Sequence, residues 1–583
     1  MRRTKIVCTI GPASDSVETI KQMISMGMNV ARLNFSHGTH EDHARRVKMI
    51  RQAAGEMGTI VGIMLDTKGP EIRTGLLETD TITLNTGDNL TLTTEDVKGT
   101  SKRLSVSYKG LPDDAAPGTK ILLADGLVEL EVLSQDGTEI NCRVVNGGEI
   151  GSRKNVNIPG VVVNLPAVTD KDIADIGFAV ANGFDFIAAS FMRTSADVLA
   201  VRKVLEATDS NLQIIAKIEN HQGVANIDEI IKVADGVMVA RGDMGVEIPA
   251  EEVPLIQKMI IQKCNAVGKP VITATQMLDS MINNPRPTRA EATDVANAIF
   301  DGTDAVMLSG ETASGRYPVE AVAMMDRIGT RTERALGFEE ILGRKEILPT
   351  RTVTDAISHA TCSTALYLGA TAIITSTKSG HTARMVSKYR PKARIIAVTP
   401  KMDVIRQMTL VWGVMPLLVS ETRGTDEMIS AAIETALAAD YIKNGDLVVI
   451  TAGVPVGVPG TTNLLKVHIV GDVVARGAGI GAHAVTGTVK VVRTAKEADE
   501  EIEPGDILVT TSTDRDFVPA MEKSAAVITE AGGLTSHAAI VGLNIGIPVI
   551  VGVDGAASLL KTGDIITVDG VRGLIYKGVT KVL

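Results

Sequence analysis

QIIAKIENHQGVANIDEIIKVADGVMVARGD, residues 213–243, contains the repeating unit from which the architecture of the chain can be inferred. Two short and largely apolar runs, QIIAKIE (213–219) and GVMVARGD (236–243), flank a segment with a helical pattern. Strands of a parallel sheet are buried on both faces, so their sequences are apolar along most of their length. The stretch therefore predicts a strand, a helix and a second strand.

This unit recurs through the first 340 residues. The six further apolar runs are KIVCTI (5–10), NVARLNF (29–35), IVGIMLD (60–66), DFIAASF (185–191), PVITAT (270–275) and DAVMLSGE (304–311). Helical segments with polar faces lie between the runs, and Thr39 is expected to cap one of them. Eight strand–helix units predict a (β/α)8 TIM barrel as the catalytic domain, over residues 1–69 and 167–342.

Three further regions are predicted outside the barrel, and the fold class is α/β. Residues 70–166 alternate in steps of two and are rich in Thr, Val and Gly, which predicts an inserted β-barrel domain that forms a lid. Strand–helix alternation resumes over 343–472 and predicts a second α/β domain. Residues 473–583 form a compact β-rich tail, and the stretch 471–483 at its start resembles a linker.

The composition indicates a globular protein that binds no nucleic acid. Of 583 residues, 44% are hydrophobic and 22% are charged, and the net charge is −10. Duplex affinity comes mainly from Lys and Arg that neutralise phosphates, and base stacking needs aromatic residues, which are only 3% here. The four cysteines are far apart and form no CxxC pair, which indicates a reducing compartment without disulfides or a zinc site.

No membrane contact is expected, and we predict a cytoplasmic protein. The apolar part of the N-terminal sequence MRRTKIVCTIGP is too short for a signal peptide. Residues 531–553 lack Asp, Glu, Lys and Arg and are long enough to span a bilayer. Gly, His, Asn and Pro interrupt this stretch, however, so we predict a loop, a short helix and a buried strand.

Charged and hydroxyl side chains lie at the carboxyl ends of six predicted strands, where the active site of a TIM barrel is found. In order along the chain, these residues are Arg32, Asn34, Ser36, Asp66, Thr67, Lys68, Glu71, Arg73, Lys217, Glu219, Arg241, Asp243, Thr275, Ser309 and Glu311. The two-residue spacing of Lys217 and Glu219 puts both on one face of their strand. The set predicts a pocket for an anionic, oxygen-rich substrate.

The residue types in this set point to metal-assisted phosphate chemistry. Glu219 and Asp243 are hard oxygen ligands of the kind that Mg²⁺ prefers. Arg32, Arg73 and Lys217 can neutralise a phosphate, and hydroxyl and amide oxygens near the strand-three carboxylate can hold a second cation. No GxxxxGK[ST] motif is present, so a bound nucleotide would be held without a P-loop.

Two other patterns are weaker than they look. His37, His40 and His43 do not share one helix face, so we expect caps or solvated side chains rather than metal ligands. Gly477, Gly479 and Ala482 imitate a GxGxxA motif, but the residues that follow have the pattern of a strand and not of a helix.

Long segments of the chain, up to about residue 472, resemble the signature segments of the pyruvate kinase family, in the same order. They are RLNFSHG (32–38), LDTKGPEIRTG (65–75), KIENHQGV (217–224), ARGDMGVE (240–247), TATQMLDSM (273–281), RPTRAEATDVANA (286–298) and LSGETASGRYP (308–318). The resemblance implies transfer of a phosphoryl group from phosphoenolpyruvate to ADP, giving pyruvate and ATP in glycolysis. It also implies Mg²⁺ (or Mn²⁺) and K⁺ as cofactors, and a homotetramer.

The resemblance further implies a role for each matching residue. Arg32 and Lys217 would contact the phosphoryl group, with Lys217 stabilising the transition state, and Gly242, Asp243 and Thr275 would bind the rest of the substrate. Thr275 is also a candidate for organising proton delivery to the enolate. The sets implied for the ions and the nucleotide are Glu219 and Asp243 for Mg²⁺, Asn34, Ser36, Asp66 and Thr67 for K⁺, and Asn34, Arg73 and Lys154 for ADP or ATP.

An allosteric phosphate site is expected in the second α/β domain. The segment STKSGHTA (376–383) follows a predicted strand and opens a helix, and it resembles the effector loop of the family. The candidate residues are Thr377, Lys378, Ser379, Gly380 and Thr382. Because the later loop GVPVGVPG (453–460) offers no Arg or Lys, we expect a sugar monophosphate or AMP rather than a bisphosphate.

The tail adds a second resemblance and a rival function. GGLTSHAAIVGLNIGIPVIVG (532–552) resembles the mobile phosphohistidine domain of phosphoenolpyruvate-utilising enzymes, with His537 at the phospho-acceptor position. No ATP-grasp partner is encoded in this chain, so we expect a structural or regulatory remnant. The alternatives left open are a barrel lyase or aldolase acting on pyruvate, and a phosphotransfer relay built around His537.

Overall fold

The computed structural model describes residues 2–343, 352–422, 424–455, 462–471 and 473–580. The chain forms two compact units, which are described separately below. The first consists of Met1–Thr350, Ser379–Arg390 and Lys401–Pro416, and the second of Arg351–Lys378, Pro391–Pro400 and Leu417–Leu583.

Eight parallel strands of the first unit close into a barrel in the order β1-β16-β15-β14-β13-β12-β3-β2. Nearly every residue of these strands is buried, as expected for a parallel sheet covered by helices. The strands are β1 (Lys5–Thr9), β2 (Val30–Asn34), β3 (Gly62–Asp66), β12 (Phe186–Ala189), β13 (Gln213–Ile218), β14 (Gly236–Ala240), β15 (Val271–Ala274) and β16 (Ala305–Leu308). The predicted barrel is confirmed.

Two predicted strands were too long at their carboxyl ends. The ladder between β14 and β15 ends with the pair Ala240 and Ala274, so Arg241 has no strand to pair with. The chain instead begins a helix at Arg241, and a further helix begins at Gly310 soon after β16. The polar residues expected at these strand ends therefore lie on helices above the barrel.

The helices of the first unit surround the barrel and supply its outer core. They are α1 (Val17–Ser25), α2 (His40–Glu56), α4 (Asp170–Ala181), α5 (Ser195–Glu206), α6 (His221–Ala225), α7 (Ile227–Val233), α8 (Arg241–Glu247), α9 (Val253–Val267), α10 (Arg289–Asp301), α11 (Gly310–Ala313), α12 (Pro318–Glu333), α13 (Phe338–Leu342), α15 (His381–Ser387) and α16 (Met402–Gln407). Thr39 caps α2 in a reciprocal capping box with Asp42, which confirms the predicted cap.

The predicted all-β insertion is confirmed between β3 and α4. Its strands are β4 (Thr81–Leu84), β5 (Asn89–Thr93), β6 (Arg103–Ser105), β7 (Lys120–Leu123), β8 (Val128–Asp136), β9 (Glu139–Asn146), β10 (Gly148–Gly151) and β11 (Val156–Asn157), with a one-turn helix α3 (Leu111–Asp114). Six of them form a sheet in the order β11-β7-β8-β9-β5-β6, and β10 pairs with β4. The insertion, called the lid below, has a hydrophobic core of its own.

Ion pairs hold the amino-terminal end of the barrel. Asp304 Oδ1 and Oδ2 lie 2.9 and 3.1 Å from the two terminal nitrogens of Arg390, and Oδ2 also accepts the amide of Val271 at the start of β15. Asp185 similarly accepts from Arg406 and from the amide of Ile63 in β3. These buried carboxylates therefore fix the starts of strands whose other ends reach the barrel mouth.

The second unit contains two sheets. The five-stranded sheet has the order β19-β18-β17-β20-β21, and the eight-stranded sheet has the order β22-β29-β28-β24-β25-β26-β27-β23. The strands of the former are β17 (Ala372–Ser376), β18 (Arg394–Thr399), β19 (Val414–Leu418), β20 (Leu447–Gly453) and β21 (Thr462–Ile469), with helices α14 (Val353–Tyr367) and α17 (Thr425–Ala438). This sheet confirms the predicted second α/β region.

The eight-stranded sheet belongs to the tail. Its strands are β22 (Val473–Arg476), β23 (Ala478–Ile480), β24 (Ala484–Val491), β25 (Ile507–Thr510), β26 (Ala526–Thr529), β27 (Val549–Val551), β28 (Ile565–Asp569) and β29 (Leu574–Lys577). The helices are α18 (Ala495–Glu501), α19 (Val518–Lys523), α20 (His537–Ile545) and α21 (Ala556–Leu559). Short 3₁₀ turns occur in the two units at Pro12–Ser14, Asp279–Ile282, Met408–Leu410 and Arg515–Phe517.

The predicted linker at 471–483 is wrong, because β22 and β23 lie in that stretch and pair with β29 and β27. Its glycines are needed for close packing: a Cβ on Gly479 would lie 2.5 Å from the carbonyl oxygen of Gly570. The predicted strand after Ala482 is confirmed as β24. The uncharged stretch 531–553 forms a loop, α20 and β27, as predicted. Among the described residues, no helix is both long and apolar enough to cross a membrane.

Asp304→Asn is expected to destabilise the barrel by about 3 kcal/mol, because Arg390 would keep a buried charge without its counter-charge. Hydrogen exchange of the β15 and β16 amides measures this opening free energy. The control is Asp228→Asn, which removes the exposed ion pair with Lys263 and should cost less than about 1 kcal/mol. Equal losses in both variants would contradict the structural role of Asp304.

Candidate active site

The alternation of side chains along the strands determines which residues reach the barrel mouth. In β13, Ile214, Ala216 and Ile218 pack outward against the helices, whereas Ile215 belongs to the core inside the barrel. Residues two and four positions beyond Ile215 therefore face the interior at its upper end. Counting in the same way from the interior residues Val30, Met64 and Phe186 places these residues at the mouth: Arg32, Asn34, Asp66, Ser190, Lys217 and Glu219.

Asp66 lies at the centre of this group. Its Oδ2 accepts from Arg32 Nε at 2.6 Å, and its Oδ1 accepts from Lys217 Nζ at 3.0 Å. Lys217 Nζ also donates to Ser190 Oγ at 2.7 Å, and Arg32 donates to Thr9 Oγ1. Both cationic side chains are about nine-tenths buried. One carboxylate therefore fixes two cationic groups side by side.

Neighbouring opposite charges keep Asp66 and Lys217 in their charged forms. Burial opposes the ionisation of Asp66, but the charges of Arg32 and Lys217 outweigh it and lower the pKa of the carboxyl group. Burial likewise opposes the charged form of Lys217, but Asp66 and Glu219 outweigh it and raise the pKa of the ammonium group. Lys217 is therefore a fixed positive charge at neutral pH, and not a general base.

Glu219 and Asp243 are carboxyl groups whose burial is only partly compensated by nearby positive charge. Burial raises the pKa of both carboxyl groups, and the positive charge of Lys217 only partly offsets the effect. Lys217 Nζ lies 2.9 Å from Glu219 Oε1 and forms an ion pair with it. That oxygen is buried and has no hydrogen-bond donor among the described residues, while Oε2 accepts from the amide of Phe191.

Glu311 is as buried as Glu219, but its carboxylate is bound by backbone amides. Its Oε1 accepts from the amide of Leu278, and its Oε2 accepts from the amide of Ser309. Both oxygens of Glu311 therefore accept backbone amides, whereas only one oxygen of Glu219 does. The difference separates Glu219 from Glu311, although both residues follow a barrel strand.

Thr275 lies in a strained turn directly after β15. Its φ is +67°, and the next residue, Gln276, has a φ of +55°. A β-branched residue in the left-handed region costs roughly 1–3 kcal/mol, so the surrounding structure must hold it there. Thr275 Oγ1 accepts from the amide of Gly242 at 3.1 Å, and a Cβ on Gly242 would lie 3.1 Å from Thr275 Cγ2. The predicted pair Gly242 and Thr275 is thus brought together.

Oxygen groups of two neighbouring strands meet where K⁺ was predicted. Asn34 and Asp66 are register partners across β2 and β3, and Asn34 Oδ1 accepts from the amide of Ser36. Thr67 Oγ1 accepts from the amide of Ser190. The predicted residues thus come from the adjacent ends of β2 and β3, and their oxygens are of the kind that suits a hard cation.

The side chains of His40 and His43, in the segment after β2, contact other groups of the protein. His43 is buried and stacks on Phe35 with ring centroids 3.9 Å apart, and its Nε2 is 3.0 Å from the carbonyl oxygen of His37. His40 Nε2 is 2.7 Å from Asp175 Oδ1. The prediction of caps or solvated side chains is wrong for His43, because its ring covers an aromatic residue of the core. No group of three or more His, Cys, Asp or Glu among the described residues could hold a metal.

The predicted nucleotide contacts lie at the junction of lid and barrel. Arg73 Nε donates to Glu71 Oε2 at 2.7 Å, and one terminal nitrogen donates to the carbonyl oxygen of Arg153. The side chain of Lys154 is exposed on the adjacent lid segment. Asn157 Nδ2 of the lid donates to Glu247 Oε1 of α8 at 3.0 Å, which ties the lid to the barrel.

A cleft of about 730 Å³ opens beside Asp243. The residues that line it include Asp125, Asn155, Arg241, Gly242, Asp243 and Thr275. A second cavity of about 250 Å³ shares Asn155 and Asp243 with it and is lined mainly by apolar lid and hinge residues. Both volumes suit small ligands bound between the two domains.

The residues of the predicted effector loop are distributed over both compact units. In the second unit, the amide of Thr377 donates to the carbonyl oxygen of Val398, and Lys378 Nζ is 3.5 Å from Glu421 Oε1. In the first unit, Ser379 precedes Gly380, whose φ is +74°, and Thr382 is buried in α15. Residues 456–460 of the later loop, on which the choice of a monophosphate effector depends, lie outside the described residues.

His537 is the first residue of α20 in the tail. Its Nδ1 is 3.0 Å from Thr513 Oγ1, and its side chain is half-buried. The hydroxyl of the preceding Ser536 is buried without a hydrogen-bond partner among the described residues. The predicted position is therefore a partly accessible imidazole with one ring nitrogen engaged.

Sequence reasoning missed Ser190, although a signal was present. The apolar run DFIAASF was read only as a strand, yet counting by two from Phe186 reaches this serine. The hydrogen bonds of Arg241 to the carbonyl oxygens of Ala274 and Thr275 were not predicted either. Its contacts come from segments far apart in the chain, which no local pattern can indicate.

Comparison with known proteins agrees with this geometry. The chain matches the family described as "Pyruvate kinase, barrel domain" over residues 1–322, "Pyruvate kinase, alpha/beta domain" over 355–468 and "PEP-utilising enzyme, mobile domain" over 502–573. It is 59% identical to a pyruvate kinase from Geobacillus stearothermophilus and 57% identical to one from Bacillus licheniformis, with 100% of each chain covered.

A solved structure is similar as well. A pyruvate kinase from Cryptosporidium parvum has a TM-score of 0.76 and 44% sequence identity, covering 80% of this chain and 96% of that chain. Identity of this level over the full length of curated relatives leaves no ambiguity of family. The chain belongs to the pyruvate kinase family and is a phosphotransferase.

Proposed function

We propose that the barrel mouth transfers the phosphoryl group of phosphoenolpyruvate to ADP, giving pyruvate and ATP in the cytoplasm as a step of glycolysis. The observation that carries the proposal is the pair of buried cations, Arg32 and Lys217, held by Asp66, with the Glu219 carboxylate beside Lys217. Phosphoryl transfer depends on positioning and charge neutralisation more than on covalent chemistry. The mouth supplies both.

Arg32 and Lys217 are the phosphate-binding groups. Their charged nitrogens are anchored on opposite oxygens of Asp66, so they do not reorganise when the phosphoryl group moves. Fixed cations of this kind stabilise charge that develops in a transition state. Lys217, which is also bonded to Ser190, is the residue assigned to the transferring group.

Glu219 and Asp243 fit a divalent cation, Mg²⁺ or Mn²⁺. Glu219 Oε1 is buried with Lys217 as its ion-pair partner, and burial raises the pKa of both carboxyl groups, so a cation that binds to both would relieve the cost of their burial. When bound there, the cation supplies Lewis-acid stabilisation of substrate oxygens. The oxygens of Asn34, Ser36, Asp66 and Thr67 would hold K⁺.

Gly242 and Thr275 would bind the carboxylate of the substrate. The hydroxyl of Thr275 accepts from Gly242, so its own proton is free to be donated to a ligand. Gly242 and Asp243 at the start of α8 line the same cleft as Thr275. The same hydroxyl is the candidate for organising proton delivery to the enolate.

The lid would complete the site around the nucleotide. Arg73 and Lys154 would supply positive charge on the lid side, and Asn34 would contribute an amide group from the barrel. Closure of the lid would exclude water, which would otherwise hydrolyse the donor. The lid–barrel hydrogen bond of Asn157 with Glu247 is the kind of contact that such closure requires.

The remaining assignments concern the assembly. We infer four domains: the barrel (1–69 and 167–342), the lid (70–166), an allosteric α/β domain (343–472) and the mobile tail (473–583). Thr377, Lys378, Ser379, Gly380 and Thr382 would bind a sugar monophosphate or AMP. The relatives that are similar over their whole length carry the pyruvate kinase name, and a homotetramer is inferred by analogy.

Lys217→Met should abolish ADP-dependent pyruvate formation while leaving proton exchange at the methyl group of pyruvate measurable. The ammonium group acts on the phosphoryl group, whereas enolate formation depends on the carboxylates and Thr275. A coupled assay follows transfer, and NMR in D₂O follows exchange. Unimpaired transfer would refute the assigned role, and ADP-independent cleavage by the wild type would favour the lyase alternative.

Glu219→Gln should raise the Mg²⁺ concentration needed for half-maximal activity by at least about 100-fold, because it removes a charged ligand. Direct titration with Mn²⁺, followed by electron paramagnetic resonance, should show the same weakening without any turnover. The matched control is Glu311→Gln, whose oxygens are occupied by backbone amides. An equal change in metal affinity in both variants would exclude Glu219 as a specific ligand.

His537→Ala should leave pyruvate formation unchanged, and phosphoenolpyruvate labelled with ³²P should give no acid-labile label on the wild type. The reason is that we expect the tail to be a structural or regulatory remnant and not a working phosphoryl carrier. Removal of residues 473–583 should also preserve ADP-dependent activity. Acid-labile label that disappears in His537→Ala would support the relay alternative instead.

A further inference from the structure

Arg241 is bound almost entirely to the turn that carries Thr275. Its Nε donates to the carbonyl oxygen of Ala274 at 3.2 Å. One terminal nitrogen donates to the carbonyl oxygen of Thr275 at 2.8 Å and lies 2.7 Å from Met277 Sδ. Three successive points of one turn are thus contacted by a single guanidinium group.

The other terminal nitrogen anchors the guanidinium group itself. It donates to Asp294 Oδ1 of α10 at 2.7 Å and to Gln257 Oε1 of α9 at 3.3 Å. The side chain of Arg241 is largely buried, with 13% of it exposed. Two helices of the barrel therefore hold the guanidinium plane in place while its remaining nitrogens bind the turn.

The turn is in a conformation that requires such a clamp. Thr275 and Gln276 are two consecutive non-glycine residues at positive φ, and such residues keep this conformation only when their surroundings enforce it. Both carbonyl oxygens bound by Arg241, those of Ala274 and Thr275, belong to the peptide units that flank Thr275. The clamp is therefore placed where it fixes the backbone angles of Thr275.

The orientation of the Thr275 hydroxyl follows from these angles. Its oxygen accepts from the amide of Gly242, the residue next to Arg241, and its proton has no acceptor among the described residues. Arg241, Gly242 and Thr275 all line the cleft beside Asp243. Arg241 thus holds the turn from one side, while its neighbour's amide directs the hydroxyl toward the cleft.

We propose that Arg241 is a positioning residue for the enolate half of the reaction: it holds Thr275 in its strained conformation so that the hydroxyl proton faces the substrate carboxylate. This inference rests on the role proposed above for Thr275. Lysine could not replace Arg241, because a single ammonium group lacks the planar fork that reaches two carbonyl oxygens and the Asp294 carboxylate together.

A double-mutant cycle with Arg241→Lys and Thr275→Val tests the proposal. Each single variant should lower kcat/KM for phosphoenolpyruvate and the proton exchange rate of pyruvate by about 100-fold, as expected when a reacting group is displaced by about 1 Å. Because Arg241 acts through the hydroxyl, the double variant should be no more than about 3-fold below Thr275→Val. An additive cycle, with a total loss of about 10⁴-fold, would overturn the assignment.

Arg202→Lys is the matched control. Arg202 also joins a carbonyl oxygen, that of Val233, to a carboxylate, that of Asp235, but at the opposite end of the barrel strands. The Arg202→Lys variant should have reduced thermal stability, but its kcat/KM for phosphoenolpyruvate and its proton exchange rate should stay within about 2-fold of the wild type. A loss as large as that of Arg241→Lys would show a general effect of barrel packing and would overturn the proposal.

A second variant keeps the test decisive if Arg241→Lys does not fold. Asp294→Asn leaves the guanidinium group in place but weakens its anchor, so a smaller loss is expected, again absent on the Thr275→Val background. If the Thr275→Val variant has wild-type rates, both the role proposed for Thr275 and this inference are wrong. An impaired Thr275→Val with an additive cycle would remove only the role of Arg241.

Discussion

The shared carboxylate of Asp66 is the constraint on which the site depends. Two cations within hydrogen-bond distance of one anion would repel each other strongly in a buried environment without it. With Asp66 between them, Arg32 and Lys217 are both nearly buried and both charged. The same carboxylate lies at the end of β3, a strand whose start is fixed by Asp185, so the positions of the charges derive from the barrel itself.

The period-two alternation of the strands extends this constraint to the rest of the mouth. Every second residue of β2, β3, β12 and β13 faces the barrel interior, and the apolar ones among them fill it. The polar residues that complete each series meet above this core. The same two-residue alternation therefore places the apolar side chains in the barrel interior and the polar ones at its mouth. Thr275 reaches the mouth differently, from the left-handed turn that follows β15.

The fold and most of the mouth could be predicted because both depend on local sequence periods. The eight apolar runs and the spacing of Lys217 and Glu219 are visible in single segments. The left-handed turn at Thr275 and the stacking of His43 on Phe35 could not be predicted in this way. Tertiary contacts enforce both of them against the local preference of the sequence. The strands within 471–483 were missed because their glycines serve close packing rather than flexibility.

The charge balance of the mouth explains why a metal belongs to its chemistry. Among the five charged side chains around Asp66, the two cations Arg32 and Lys217 face the three carboxylates of Asp66, Glu219 and Asp243, so this group carries one net negative charge when all are ionised. A divalent cation between Glu219 and Asp243 reverses that sign, and it also removes the cost of burying two carboxylates whose pKa values are raised by burial. In the proposed arrangement, a cation held by Glu219 and Asp243 would therefore favour binding of the anionic substrate beside Arg32 and Lys217.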